Sequence, residues 1–499
     1  MPEFLSNTDA FAYAMEADAR LRSTVVSIVM LDRTPDWDVL VDRLERVTRQ
    51  MPMFRQHVVP SLPPAPPRWV YDPDFDLRFH LRRVTAPAPG SFDTVLEMAR
   101  NAQMSEFDHA RPMWTMTVVD GLTDGAAALL VKLHHSMADG IGALQIGMLV
   151  FDLQAEPADL GPLPPVPASS SPGPVDGVRY GLQYDVGLAG RLVRTATLGG
   201  AKALLGSVRD PVGSARSAAA TTASVYRTVR PINTTSSPIM TDRRMVRELG
   251  VHEIPLAPLK AAAHAGDAKL NDAFLAGITG GLRIYHERHS APVDELHVTM
   301  PISIRTDGDA QGGNRITLMR FAVPVSVSDP RRRIRETRVR AAAAGKERSL
   351  ALTQAIAGGL NLLPRWYVGS ILRHVDFLAS DVPGVPVPVW IGGAAVTMQY
   401  AFGPTIGAGV NVTLFSYQDT CSLGINADSG AIPDFELFHE CLVAGFDEVI
   451  ALGLAALATG PGDTKPVKPV KPVKAVTAVK RVKRATPAKA AHEGTSDAH

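Results

Sequence analysis

Eight residues, Ala126 to Leu133, form a short and almost wholly apolar run. It begins after Asp124-Gly125, ends at His134-His135, and is followed three residues later by Asp139-Gly140. A run this short, bounded by turn residues, predicts a buried strand rather than a membrane span. The segment from Gly140 to Phe151 predicts a helix, with Ile141, Leu144 and Met148 on one face. Whatever else the chain does, it must bring two histidines to the point where a strand stops and a helix starts.

That placement suits acid–base chemistry. Histidine titrates near ~6.5 and can take and return a proton at neutral pH. Successive side chains on a strand point to opposite faces. One of His134 and His135 therefore faces a site and the other the framework. Asp139 can orient a ring or pair with an arginine, and Gly140 supplies the tight bend. A histidine doublet is also a common packing feature. A zinc site would want a third ligand at suitable spacing, and Cys421 and Cys441 lie far off in sequence.

At 499 residues the chain exceeds one ordinary core, so two domains are expected. Two cysteines in that length argue against a disulfide framework and fit a reducing cytosol. Glu3, Asp9, Glu16 and Asp18 interrupt the first twenty residues, which do not read as a signal peptide. No apolar run suggests a bilayer span, and Val449 to Ala458 reads as buried helix. Charge is uneven. From Thr464 to His499 there are nine Lys or Arg and two acids, while the whole chain is +1, so the remainder carries −6. An acidic body with a basic tail suggests a tail that meets something anionic.

Taken in order, Ser6 and Asn7 offer caps for a first short helix, and Ser23–Leu31 is a strand. Trp37–Gln50 has helical spacing, Asp72–Leu81 reads as extended, and Phe92–Met104 as a helix. Trp114–Val119 alternates and pairs as a hairpin with the histidine strand through Thr123-Asp124-Gly125. Residues 1–160 form the first domain and Gly161–Gly173 a proline-serine linker. The linker opens a basic, Ala/Gly-rich crossover that ends near residue 240. It is either a solvated connector or a helix lying on a lipid surface. The second domain, 241–460, holds a helix at Asn271–His286, strands at His297–Ile304, Ala395–Tyr400 and Gly409–Tyr417, and an apolar, partly alternating segment at Ile316–Val327. Ala351–Ile371 is helical in pieces, and Phe435–Leu457 closes the body. Residues 461–499, with Lys-Pro-Val repeated, cannot build a core and are expected to be disordered.

The pattern HHxxxDG after an apolar strand resembles the active-site motif of the CoA-dependent acyltransferase superfamily. Further motifs choose within it. Pro112-Met113-Trp114 is similar to the Pro-Leu-Trp signature of the bacterial wax ester synthase/diacylglycerol acyltransferase family. Asn271-Asp272 resembles that family's Asn-Asp motif, and also what a helix N-cap looks like. Met300-Pro301-Ile302-Ser303-Ile304-Arg305, followed by Gly313-Asn314, is similar to its Pro-Val-Ser-Val-Arg and Gly-Asn arrangement. Ser380-Asp381-Val382-Pro383-Gly384 resembles its Ser-Asn-Val-Pro-Gly, with Asp381 replacing Asn. An ionised carboxylate only accepts hydrogen bonds, which removes any amide-like donor there. The resemblance runs in family order from Leu5 to about Leu457.

The resemblance implies an α/β (α+β) fold of two chloramphenicol-acetyltransferase-like domains. Each has a mixed sheet with flanking helices, and the active-site channel runs between them. It implies His135 as catalytic base, with His134 and Asp139 in supporting places. Gly140, Trp114, Asn271, Asp272, Arg305 and Ser380 are motif residues that bind substrate or hold the site's shape. Acyl-CoA would be a co-substrate, with no cofactor and no metal, and the acceptor diacylglycerol or a long-chain alcohol. The expected place is cytoplasmic, peripheral at a membrane or lipid droplet. Nucleic-acid contact would be confined to the basic tail, and oligomeric state is left open. Two rivals remain: another HHxxxDG enzyme of condensation or polyketide type, and a lipid-binding protein with vestigial histidines.

Overall fold

The computed structural model describes residues 3–137, 140–167, 178–187, 234–303, 316–347, 353–361, 363 and 374–459. Residues 3–458 belong to one compact unit. It is built on two six-stranded mixed sheets and a three-stranded sheet.

The histidine strand β7 (Ala127–His134) lies inside the first large sheet. It pairs antiparallel on one side with β2 (Thr24–Leu31) and on the other with β6 (Trp114–Asp120). The β6–β7 hairpin turns at Thr123–Gly125, where Asp124 takes a positive φ of 60°. β5 (Leu81–Thr85) lies parallel to β6 at one edge. At the other edge the strand partner comes from far along the chain. β13 (Ala394–Phe402) pairs antiparallel with β2, and β12 (Trp390–Ile391) follows it. The second half of the sequence thus completes the first sheet.

Helices cover this sheet on both faces. α2 (Trp37–Gln50) starts at Asp36, whose carboxylate accepts from the amides of Asp38 and Val39. It buries Leu40, Leu44 and Val47. α4 (Phe92–Met104) packs on the opposite face through Val95 and Ala99. α1 (Asn7–Met15) is capped by Ser6. A small sheet of β1 (Glu3–Phe4), β3 (Gln56–Val59) and β4 (Arg68–Tyr71) has the spatial strand order β1-β4-β3. The expectation of an extended Asp72–Leu81 fails in part. α3 (Leu77–His80) is a helical turn capped by Asp76, which accepts from the Arg78 amide at 2.9 Å.

α5 (Gly140–Val150) follows the histidine turn. Its buried face carries Ile146 and Val150, while Met148 is 47% exposed, against the expected face. The helix is apolar nearly all round, so periodicity cannot say which side turns inward. The side chains of Ile141 and Leu144 lie outside the described residues.

The second large sheet runs β10 (Ile316–Pro324), β9 (Glu295–Ser303), β11 (Phe377–Val382), β14 (Val410–Tyr417), β15 (Thr420–Asp428) and β8 (Arg247–Pro255). One face is covered by α6 (Leu256–Ala265), α7 (Leu270–Arg288), α8 (Pro330–Ala344) and α10 (Phe435–Ala458). α9 (Thr353–Leu360) packs instead on α1. α7 and α10 cross at glycines: a Cβ at Gly445 would sit 2.1 Å from the Gly281 amide nitrogen. α10 is 24 residues, long and apolar enough by composition to cross a bilayer. Here it packs along α7 and α6 with Phe438, Leu442, Phe446 and Val449 buried. Its last turn departs from the expected burial, since Leu454 and Leu457 are exposed.

Candidate functional site

The two histidines have different surroundings. His134 closes β7 and is fully buried. Its Nδ1 lies 3.2 Å from the Ser136 amide nitrogen and 2.7 Å from Ser136 Oγ. A backbone amide can only donate, so Nδ1 is the acceptor and the ring proton sits on Nε2. Nε2 points at Glu16 Oε2, 3.4 Å away. Tyr13 and Phe107 meet the ring edge-on. His134 is therefore held in one tautomer by the framework.

His135 is half-buried, one residue past the strand end. Its amide donates to Ser23 O at 2.8 Å, and the Met137 amide closes the turn on His134 O at 2.9 Å. The backbone is pinned on both sides while the ring is not enclosed.

Glu16 links these arrangements, and the sequence reading missed it. Its side chain is 3% exposed, and Oε2 accepts the Ser23 amide at 3.1 Å. The same carboxylate thus faces the His134 ring and holds the residue whose carbonyl receives the His135 amide. Burial pushes the Glu16 carboxyl up, but His134, the Ser23 amide and Arg22 outweigh it and hold it below the usual range. The one available signal was an acid directly after the apolar Ala14-Met15 at the end of a short helix.

Lys132, on the strand beside His134, donates to Ser105 O, Ser105 Oγ and Glu106 O and lies over the Phe107 ring. It satisfies carbonyls just past the end of α4. Burial pulls its ammonium down to about 8. A cavity of about 350 Å³ opens here, between Phe79, Phe107, Thr115 and Lys132.

The remaining motif residues are distributed as follows. Asp139 and Arg305 lie outside the described residues, as do Gly313 and Asn314. Gly140 starts α5. Trp114 is 1% exposed, and its Nε1 donates to Phe54 O at 3.0 Å. Its indole stacks on His80, with centroids 4.6 Å apart. Trp114 is thus a core residue of the first sheet. Trp114→Ala should cost ~3–5 kcal/mol in chemical denaturation. Asp272 is buried at the third position of α7 and accepts the amide of Lys269, the N-cap, at 2.8 Å, as in a capping box, while Asn271 is half-buried beside it; neither of the pair is the N-cap itself. Ser380 sits on β11 opposite Thr413. Gly384 is dictated by contact, because a Cβ there would lie 1.5 Å from Ser416 O.

The two halves meet at this site. Met137, Ile146 and Val150 share one apolar cluster with Val385, Val389 and Tyr417. α5 also packs directly on β11. His134–Met137 and the chain at 380–385 therefore adjoin a common junction.

Two family profiles match this sequence. The wax ester synthase/diacylglycerol acyltransferase catalytic domain covers residues 5–274, and the WS/DGAT C-terminal domain covers residues 312–449. The chain belongs to the wax ester synthase/diacylglycerol acyltransferase family. A Mycobacterium tuberculosis (strain H37Rv) protein, provisionally named a diacylglycerol O-acyltransferase, is 35% identical over 453 residues, 90% of this chain and 92% of that one. The wax ester synthase/diacylglycerol acyltransferase of Marinobacter aquaeolei VT8 superposes with a TM-score of 0.58 at 20% identity, over 91% of this chain and 100% of that chain. A mutant starter condensation domain of rhizomide synthetase, in complex with C8-CoA and Leu-SNAC, gives a TM-score of 0.57 at 12% identity, over 91% and 95%. The fold is accordingly the two-halved chloramphenicol-acetyltransferase-like architecture, and the protein is an acyltransferase of this family.

Proposed function

We propose that this acyltransferase moves the acyl group of an acyl-CoA onto the hydroxyl of diacylglycerol or of a long-chain alcohol. The observation that carries the reading is the asymmetry of the doublet. His134 is locked by Ser136 and Glu16, while His135 has a pinned backbone and a ring left half-buried at the junction of the halves. In this reading His135 removes the hydroxyl proton as the oxygen attacks the thioester carbonyl carbon. The tetrahedral intermediate then expels the sulfur, and the imidazolium returns the proton to the thiolate. The products are an ester and free coenzyme A, with atoms and charge balanced. Acyl-CoA as donor agrees with the C8-CoA held by the condensation-domain relative. Asn271 and Ser380 are assigned to the substrate side, and Asp139 to orienting the turn.

An assay offering one acyl-CoA together with diacylglycerol and hexadecanol tests the reading and ranks the acceptors. Ester formation with thiol release is expected. Turnover only with a carrier-bound donor would favour a condensation-type enzyme, and lipid binding without thiol release a non-catalytic protein.

The reading includes work at a lipid surface. Val178, Leu182 and Val186 lie at i, i+4 and i+8 of helical segment 178–187 and are 49%, 51% and 73% exposed. Tyr180 and Tyr184 of the same segment pack against Arg68 and Phe4. The nine cations of the tail supply up to about 1 kcal/mol each near anionic lipid. Deleting residues 461–499 should reduce pelleting with phosphatidylserine vesicles at low salt. Unchanged pelleting would remove the tail from the account.

A further inference from the structure

β5, β6 and β7 lie side by side at one end of the first large sheet. In one row Arg82 of β5 stands opposite Thr117 of β6, and Thr117 opposite Leu130 of β7. In the next row Thr115 stands opposite Lys132. Residues directly opposed share a face of the sheet, and their chain neighbours point to the other. Leu130 packs in one cluster with Val95 and Ala99 of α4, so this is the face that α4 covers. α4 stops at Met104. Past that end the face carries Thr115, Thr117 and Lys132 in place of apolar residues, and the chain around Ser105–Pro112 walls the cavity of about 350 Å³ over them. Val131 and Leu133 point the other way, into the apolar cluster that holds Met137 and Val385. The cavity therefore lies across the sheet from the junction of the halves.

Its polar groups are mostly donors, and several are unspent. Among the described residues the hydroxyls of Thr115 and Thr117 have no hydrogen-bond partner. Arg82 gives its Nε to Phe79 O at 2.9 Å, and its two Nη nitrogens meet no carboxylate among those residues. The Phe79 ring lies between two guanidinium groups, 5.0 Å from that of Arg82 and 4.5 Å from that of Arg111. The acids of the rim are already engaged, Glu106 with Arg22 and Asp108 with Arg111. Lys132 has given its protons to Ser105 and Glu106. What is left is one guanidinium fork and two hydroxyls facing walls of Phe79, Phe107, Ala102 and Leu130. A guanidinium fork matches a carboxylate in two parallel bonds. A dianion would want a second free cation.

We propose that this cavity is a second binding site, distinct from the acyl-transfer centre, for a small carboxylate with a compact apolar body. Its head would meet the Arg82 fork and the Thr115 and Thr117 hydroxyls, and its body would lie on Phe79 and Phe107. The volume sits at the lower end of the ~300–1,000 Å³ usual for ligand cavities, which suits a short-chain acid and excludes a long-chain acyl-CoA or a diacylglycerol. The Phe107 ring that such a ligand covers meets His134 edge-on, with centroids 6.0 Å apart. The inference does not rest on the acyl-transfer reading above.

The experiment titrates the full chain with sodium hexanoate, against sodium chloride at equal ionic strength, and follows binding by saturation-transfer NMR and by the melting temperature. Saturable binding and a rise in melting temperature with hexanoate are expected. Arg82→Ala alters an exposed side chain and should weaken binding ~10-fold or more, the worth of a charged hydrogen bond. Thr117→Val keeps the residue's shape on the strand and should weaken it about threefold. Saturating palmitoyl-CoA should leave hexanoate bound. Absence of saturable binding, or unchanged affinity in the folded variants, would overturn the inference. So would displacement of hexanoate by palmitoyl-CoA, which would put it in the substrate channel, or tighter binding of inorganic phosphate than of hexanoate, which would contradict the carboxylate assignment.

Discussion

His135→Ala is expected to reduce acyl transfer by at least ~10²–10⁴-fold, the usual worth of a positioned acid–base group. The folded protein should survive the change. The His135 ring is half-buried, and alanine retains the backbone amide's bond to Ser23 O. His134→Ala should behave in the opposite way. That ring is fully enclosed, accepts the Ser136 amide and faces the Glu16 carboxylate. Its removal opens a cavity and leaves a buried charge without its partner, so the main loss should be in stability, with a smaller effect on turnover. Measuring both variants by thiol release and by thermal unfolding separates the roles. Equal activity of wild type and His135→Ala would remove the mechanism.

Glu16→Ala is expected to cost ~3–5 kcal/mol of stability, because it strips one partner from a buried charged cluster. Ser23 loses the acceptor for its amide, and His134 Nε2 loses the carboxylate it faces. The strand end whose carbonyl receives the His135 amide is then unsupported, so turnover should fall with stability. Glu16→Gln keeps an acceptor oxygen and should cost less. The pH dependence has a definite sign. The folded pKa of Glu16 is depressed, so its contribution is present above the ordinary glutamate range and is lost as pH falls below it. Urea unfolding from pH 3 to 7 should show wild type losing its advantage over Glu16→Gln on the acid side. A constant difference across that range would mean that the carboxylate charge contributes nothing.

Much of the site could be read from the sequence where local chemistry decided the outcome. The histidine strand is bounded by turn residues and has one plausible period, and it falls at Ala127–His134. The N-cap at Asp36 and the apolar spacing of Trp37–Gln50 set that helix. What escaped depends on partners distant in sequence. Nothing in the alternation of Ala394–Phe402 says that it pairs with β2 in the other half's sheet. The inward side of α5 is chosen by its neighbours, because its own composition offers apolar residues all round. Glu16 lies well over a hundred residues before His134, and only the folded chain brings a carboxylate and an imidazole to 3.4 Å. Trp114 is a motif residue by family resemblance, but its burial against His80 and Phe54 is a matter of packing.

Thiol release in the presence of a lipid hydroxyl bears most directly on the central claim. Wild-type protein, supplied with palmitoyl-CoA and either dioleoylglycerol or hexadecanol, should liberate coenzyme A in step with ester, and His135→Ala should liberate none above background. Failure of wild type to release thiol with either acceptor, or undiminished release by His135→Ala, would contradict the account.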